Sequence, residues 1–242
     1  MAVGLLGCGG ASASSPQRVA DRLDQTESAL HAAIDAWRAG GDPPASAPPQ
    51  EVLDQAAALQ ADARYLAAHS NLSARVMPLL PAPLVAQLRR LTTAQRDLLR
   101  LSRGGRRRHL EVGAPPPLAE LLGFYREASA RYGVGWNYLA AIHLVETKFG
   151  RVKNDSVAGA KGPMQFIPST WRIYGNGGDI HDPHDAILAA ANLLHSNGAP
   201  ARYGPALRAY NDSGLYVDAV TRYARELAGN PYGLYYLYCW LP

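Results

Sequence analysis

A chain of 242 residues with 48% hydrophobic and 18% charged composition is long enough to bury a full core and too apolar to be disordered overall. Its formal net charge of +4 favours an anionic partner and leaves a polyanionic cell wall, a nucleic acid and a membrane surface open. With two cysteines, Cys8 and Cys239, it has neither a disulfide framework nor a cysteine-based zinc pattern.

In chain order, residues 1–15 come first, as a signal- or lipobox-like remnant. The run MAVGLLGCGG ends an apolar stretch at Leu5, Leu6, Gly7 and Cys8, which resembles a bacterial lipoprotein box whose cysteine is lipidated. Only seven residues precede Cys8 and none is Lys or Arg, so a complete signal peptide is not expected in this stretch: either the real start lies upstream of it or the resemblance is accidental. Lipidation at Cys8 and a chance resemblance therefore stand side by side. No other apolar run approaches the roughly 20 residues of a membrane-spanning helix, so the membrane attachment to expect is at most a lipid anchor.

Residues 16–102 read as an α-helical N-terminal region. Val19, Leu23, Leu30, Ile34 and Trp37 form one stripe that stops at Gly40 and Gly41. The Pro-rich DPPASAPPQ breaks the pattern, a second stripe follows through Val52, Ala56, Leu59, Ala63 and Leu66, and a third through Leu84, Leu88, Leu91 and Leu98. These stripes must pack on one another or on a partner protein. Nothing in the region has catalytic spacing, and its Arg-, Asp- and Gln-rich face reads as a solvated helix surface.

Residues 103–117 form a basic and Pro-rich linker, with Arg103, Arg106, Arg107 and Arg108 followed by GAPPP. No aromatic residues are interleaved for base stacking, which favours a solvated linker over a nucleic-acid contact. Residues 118–242 form the last unit. Leu118, Leu121, Leu122 and Tyr125 make a stripe closed by Gly133. The next helix, from about Trp136 to Phe149, puts Leu139, Ile142, His143 and Glu146 on one face. Asp182 caps a helix that opens with Pro183 and ends before Gly198; a short helix ends near Asn211; Tyr216, Val220, Tyr223 and Leu227 line a last one. With no alternating strand pattern, the fold class is mainly α, with at most a small β element in the Gly-rich loops.

Glu146 is the residue with chemistry. A carboxyl on an apolar helix face is disfavoured in its charged form, and a carboxylic acid still protonated near neutral pH is what a glycosidic oxygen needs as a general acid. The blander reading is a helix-end ion pair with Lys148, Arg151 or Lys153. The cluster Asp179, His181, Asp182, His184 and Asp185 contains metal-ligand types, but it lacks the spacing of a calcium loop, and helix capping explains its aspartates, so no metal and no cofactor is expected.

The neighbouring text carries a resemblance. ETKFGR, then SVAGAKGPMQF from Ser156 to Phe166, then PSTW, and finally Ala209, Tyr210 and Asn211 resemble the motifs of the lytic transglycosylases of bacterial peptidoglycan, in the same order. The likeness spans about Leu118 to Leu227 and excludes the N-terminal half. Thr147 stands where Ser is commoner and Pro163 where Leu is frequent. The resemblance implies a lysozyme-like catalytic domain in which Glu146 is the sole acid/base. It would cleave the bond between N-acetylmuramic acid and N-acetylglucosamine and close a 1,6-anhydro ring. It further implies that Ser156 bonds a substrate acyl oxygen, that Gln165 and Phe166 line the cleft, that Tyr210 and Asn211 orient Glu146 or the N-acetyl group, and that Tyr216 adds a cleft wall.

The expected partner is thus peptidoglycan glycan strands and not nucleic acid, and the expected location the cell envelope or its exterior. The rival functions are a hydrolytic muramidase, with Asp179 or Asp182 holding a water, and a silent wall-binding scaffold whose N-terminal helices engage a protein.

Overall fold

The computed structural model describes residues 15–103 and 109–242. Cys8 and three arginines of the basic run, Arg106, Arg107 and Arg108, lie outside the described residues.

The N-terminal region contains α1 (Pro16–Arg38), α2 (Gln50–Ala68), α3 (Ser70–Val76), a single 3-10 turn at Met77–Leu79, and α4 (Ala82–Leu101). Ser15 caps α1, its Oγ accepting from the Arg18 backbone N–H (3.3 Å). Every apolar residue of the three stripes except Leu98 is buried, and Leu98 packs against the same core. The break between the second and third stripes is partly helical, because α3 continues from α2 after a kink at His69.

The rest comprises α5 (Leu118–Tyr132), α6 (Trp136–Thr147), α7 (Pro168–Tyr174), α8 (Pro183–Ser196), α9 (Tyr203–Tyr210), α10 (Gly214–Gly229) and α11 (Gly233–Tyr238). Gly133 ends α5 in the left-handed conformation (φ 68°), where a side chain would be strained. Asp182 caps α8 as the sequence implies, its Oδ1 accepting from the Asp185 N–H (3.0 Å). Among the described residues the only β pairing is two isolated bridges, Val112 with Val152 and Lys161 with Phe166. The first straps the linker onto the loop after α6, with Lys153 N–H donating to Glu111 O and Gly113 N–H to Arg151 O, both 2.9 Å.

One hydrophobic core runs through both halves, and α10 lies between them, packed on α4 on one side and on α6 on the other. This corrects the expectation of a solvated polar face on the N-terminal helices. Gln60, Gln87, Gln95 and Asp97 are buried, and partners from the C-terminal half satisfy several of them. Gln60 exchanges two hydrogen bonds with the Leu241 backbone (2.7 and 3.1 Å), Asn230 donates to Gln87 (3.2 Å), and Arg222 pairs with Asp97 (3.5 Å). At the centre of the joint Glu226, 0% exposed, receives Arg90 from α4, the Tyr236 hydroxyl (2.7 Å) and Asn230 Nδ2 (2.8 Å). A buried carboxylate is tolerable only when matched in this way. No helix among the described residues is long and apolar enough to cross a membrane.

Candidate active site

Helix α6, WNYLAAIHLVET, is apolar nearly all round, and residues Leu139 to Leu144 are buried, so it occupies the centre of its half. Its start is held by the Gly135 N–H donating to Tyr203 Oη (2.7 Å) and by Asn137 Nδ2 donating to Ala224 O (3.0 Å). Its end is abrupt. Lys148 (φ 53°), Phe149 (φ 60°) and Gly150 (φ 80°) are successive left-handed residues, and two of them carry a Cβ. Burial of the Phe149 ring offsets that strain, and Thr147 helps by accepting from the Gly150 N–H (2.9 Å) while donating to Pro163 O (2.6 Å). The Thr147 hydroxyl thus ties the helix end to the Gly-rich loop.

That loop is folded close against the loop before α8. A Cβ on Gly162 (φ 71°) would lie 1.8 Å from Ile180 O, so only glycine fits there. Ser156 Oγ accepts from the Ala160 N–H (2.9 Å), and Gln165 Nε2 donates to Gly162 O (2.9 Å).

The abrupt stop leaves Glu146 in the last turn of α6, half-buried, at a cavity of about 630 Å³. Val145, Glu146, Lys148, Asn211 and Tyr216 line it from the C-terminal half. The Tyr216 hydroxyl donates to Glu146 Oε1 (2.7 Å). Burial pushes the Glu146 carboxyl up to about 7, against the opposing pull of the Tyr216 hydrogen bond and the Lys148 cation. The ion pairs of the blander reading do not form. Lys148 Nζ donates to Leu144 O (3.0 Å), Arg151 stacks over the Tyr238 ring (5.0 Å), and Lys153 Nζ donates to Ala114 O (3.2 Å). Burial, followed by repulsion from Arg64, lowers the Lys148 ammonium to about 8.

Among the residues singled out from the sequence, Glu146, Asn211 and Tyr216 come together at this cavity. Tyr210 makes no hydrogen bond to Glu146: its hydroxyl donates to Met164 O (2.6 Å) and its ring stacks parallel to Tyr216 at 6.4 Å. Phe166, expected on the cleft wall, is 2% exposed and meets Tyr210 edge-on at 5.5 Å. An apolar ring in this position gains more from the core than from solvent. The series Phe166, Tyr210, Tyr216 therefore props the hydrogen bond to Glu146 from behind. Ser156 and Gln165 are absent from the cavity lining and are engaged with their own loop backbone.

His143, on the same helix face, is fully buried, and its Nδ1 lies 2.7 Å from Tyr125 Oη. Burial drives its imidazolium form down to about 3, so it is a neutral core residue. Donor atoms of Asp182, His184 and Asp185 lie within 4.8 Å of one another away from the cavity. Asp182 and Asp185 accept backbone N–H groups and His184 faces Glu127 (2.9 Å), which caps and pairs explain without an ion.

Lys148 is read from the sequence only as an ion-pair partner of Glu146, and the contributions of Thr147 and of Arg64, Gln95 and Leu98 from the N-terminal helices were not legible there. Only the motif position of Thr147 hinted at its role; Arg64, Gln95 and Leu98 depend on packing between segments far apart in the chain.

A family model described as the transglycosylase SLT domain matches residues 124–232. The match takes in Glu146, its stop turn, the Gly-rich loop and Tyr216. No curated protein and no solved structure matches the chain.

Proposed function

We propose that residues 124–232, which match the transglycosylase SLT domain model, act as a peptidoglycan lytic transglycosylase, with Glu146 as the single acid/base cleaving the β-1,4 bond between N-acetylmuramic acid and N-acetylglucosamine. The observation that carries the reading is Glu146 itself: a carboxyl held near neutral pKa, bonded to Tyr216, at an open cavity where no second acidic side chain lines the wall among the described residues.

As the protonated acid, Glu146 gives its proton to the glycosidic oxygen as the C1–O bond breaks, and the N-acetylglucosamine end leaves with a 4-hydroxyl. The resulting carboxylate takes the proton of the muramyl C6 hydroxyl, whose oxygen bonds to C1 and closes the 1,6-anhydro ring. Glu146 returns to its protonated form and no water is consumed. Because the nucleophile is tethered to the same sugar, its effective molarity is high and no second carboxylate is needed to hold a water. The Tyr216 hydroxyl, which burial keeps protonated well above its ordinary value, stays a donor through both steps and favours the carboxylate state between them. Asn211 lines the same cavity, which supports a role for it in meeting an N-acetyl group.

Hydrolysis of the same bond is the weaker reading. Its sequence candidates for holding a water, Asp179 and Asp182, accept backbone N–H groups and do not line the cavity. A silent scaffold would not require an acid whose charge is disfavoured at the mouth of a cleft. The substrate class supports action in the cell envelope. Mass spectrometry of muropeptides released by the purified protein is the test. Anhydro-ended products are expected; reducing-end products would transfer the assignment to hydrolysis, and binding without release would transfer it to the scaffold.

A further inference from the structure

Although the matched domain begins at residue 124, the cavity holding Glu146 is not built by that domain alone. Arg64 from α2 and Gln95, Leu98 and Leu101 from α4 also line it. Two cations therefore face one cavity, Arg64 from the N-terminal helices and Lys148 from the turn after α6.

Their electrostatics are unbalanced. Arg64 is exposed, and Nη2 donates to Leu241 O (3.0 Å), which leaves most of its five N–H donors free for a ligand. No side-chain carboxylate among the described residues lies within ion-pair distance of Arg64 or Lys148. Among the described residues Glu146 is the only acidic side chain lining the cavity, and it has to be neutral to begin the reaction. With Glu146 neutral, no side-chain carboxylate among the described residues that line the cavity offsets the two cations, and much of the remaining wall is apolar (Leu98, Leu101, Val145). A substrate anion supplies what is missing.

We propose that the N-terminal helices complete the substrate cleft and that Arg64, with Lys148, is a specificity residue accepting a carboxylate carried by the muramyl side of the glycan. This rests on the transglycosylase reading of the same site. The muramyl unit differs from N-acetylglucosamine by its lactyl ether, which ends in a carboxyl group or in a peptide stem bearing carboxylates. A guanidinium suits such a group because it binds both carboxylate oxygens at once. Arg64 would thereby fix which sugar lies on the Glu146 side of the scissile bond.

The test uses the full chain carrying Glu146→Gln, so that ligand is not consumed, and calorimetry with three soluble peptidoglycan fragments. One retains its peptide stems, one has the stems removed to expose lactyl carboxylates, and one has all carboxyls capped as neutral amides. Capping is expected to weaken binding about tenfold, as for loss of one charge-assisted contact. Adding Arg64→Gln should abolish that difference, Arg64→Lys should restore part of it, and raising the salt should shrink it. The tighter of the two uncapped fragments tells whether the stem or the lactyl group provides the anion. Arg64→Gln weakening all three fragments equally, or leaving the capping effect intact, would overturn the proposal. The wild-type chain is assayed on the same fragments. Anhydro products together with indifference to capping would sink this inference and leave the transglycosylase reading standing; no cleavage of any fragment would sink both.

Discussion

Two glutamates meet helix α10 at opposite ends, and the protein treats them in opposite ways. Glu226, in the last turn of α10, is sealed in the joint between the two halves and is matched by the Arg90 cation, the Tyr236 hydroxyl and the Asn230 amide. Glu146 meets Tyr216 in the first turn of the same helix and has that one hydrogen bond, a cation nearby that forms no pair with it, and an open cavity in front. The matched carboxylate holds the halves together. The under-matched one is left able to carry a proton near neutral pH, which is the property a glycosidic acid needs.

The largest effect that would sharpen this contrast is on activity. Glu146→Gln is expected to lower the rate of anhydro-product release by about 10³-fold or more, since it deletes both proton transfers while keeping an acceptor for Tyr216. Release near the wild-type rate would remove Glu146 from the chemistry. On the matched side, Arg90→Met should leave Glu226 buried without its cation and cost about 3–5 kcal/mol in urea unfolding. A loss under about 1 kcal/mol would mean that the joint does not depend on that pair.

A smaller effect concerns pH. Protonation of the leaving oxygen requires the neutral Glu146, so cleavage should decline as pH rises through about 7. The Tyr216 hydrogen bond favours the charged form, so Tyr216→Phe should shift this decline to higher pH. It should also lower kcat/KM about tenfold at pH 6 through loss of one hydrogen bond to the reacting group. A decline that stays in place would separate Tyr216 from the titration of Glu146.

Much of this arrangement is written locally. Gly133, and Asp182 followed by Pro183, mark helix ends because one residue tolerates a left-handed backbone and the other two satisfy or lack the N–H groups that a helix start leaves unpaired. The 3.6-residue period brings Glu146 onto a face with Leu139, Ile142 and His143, and the three ordered motifs give that face a chemistry. What stayed hidden is set by packing across long separations. Tyr216, read as a wall, is the direct partner of Glu146, 70 positions away, whereas Tyr210 bonds a backbone carbonyl instead. The two tyrosines are six residues apart, across a break between helices, and no local period distinguishes which ring reaches inward. Phe166 looks the same in sequence whether it faces a sugar or a tyrosine. Gln60, Gln87 and Gln95 read as solvent-facing because polar side chains usually are; they are buried here only because the C-terminal half offers them partners. Helix α11, at six residues, is too short to show a period at all.

The contrast between the two glutamates rests on the protonation of one carboxyl. It can be read directly by following the side-chain carboxyl carbon resonances of 13C-glutamate-labelled protein from pH 4 to pH 9, with Glu146→Gln identifying the signal. A midpoint near pH 7 for Glu146 is the predicted result. A midpoint in the ordinary glutamate range near 4.5 would mean an acid already ionised at working pH, and would contradict its assignment as the proton donor.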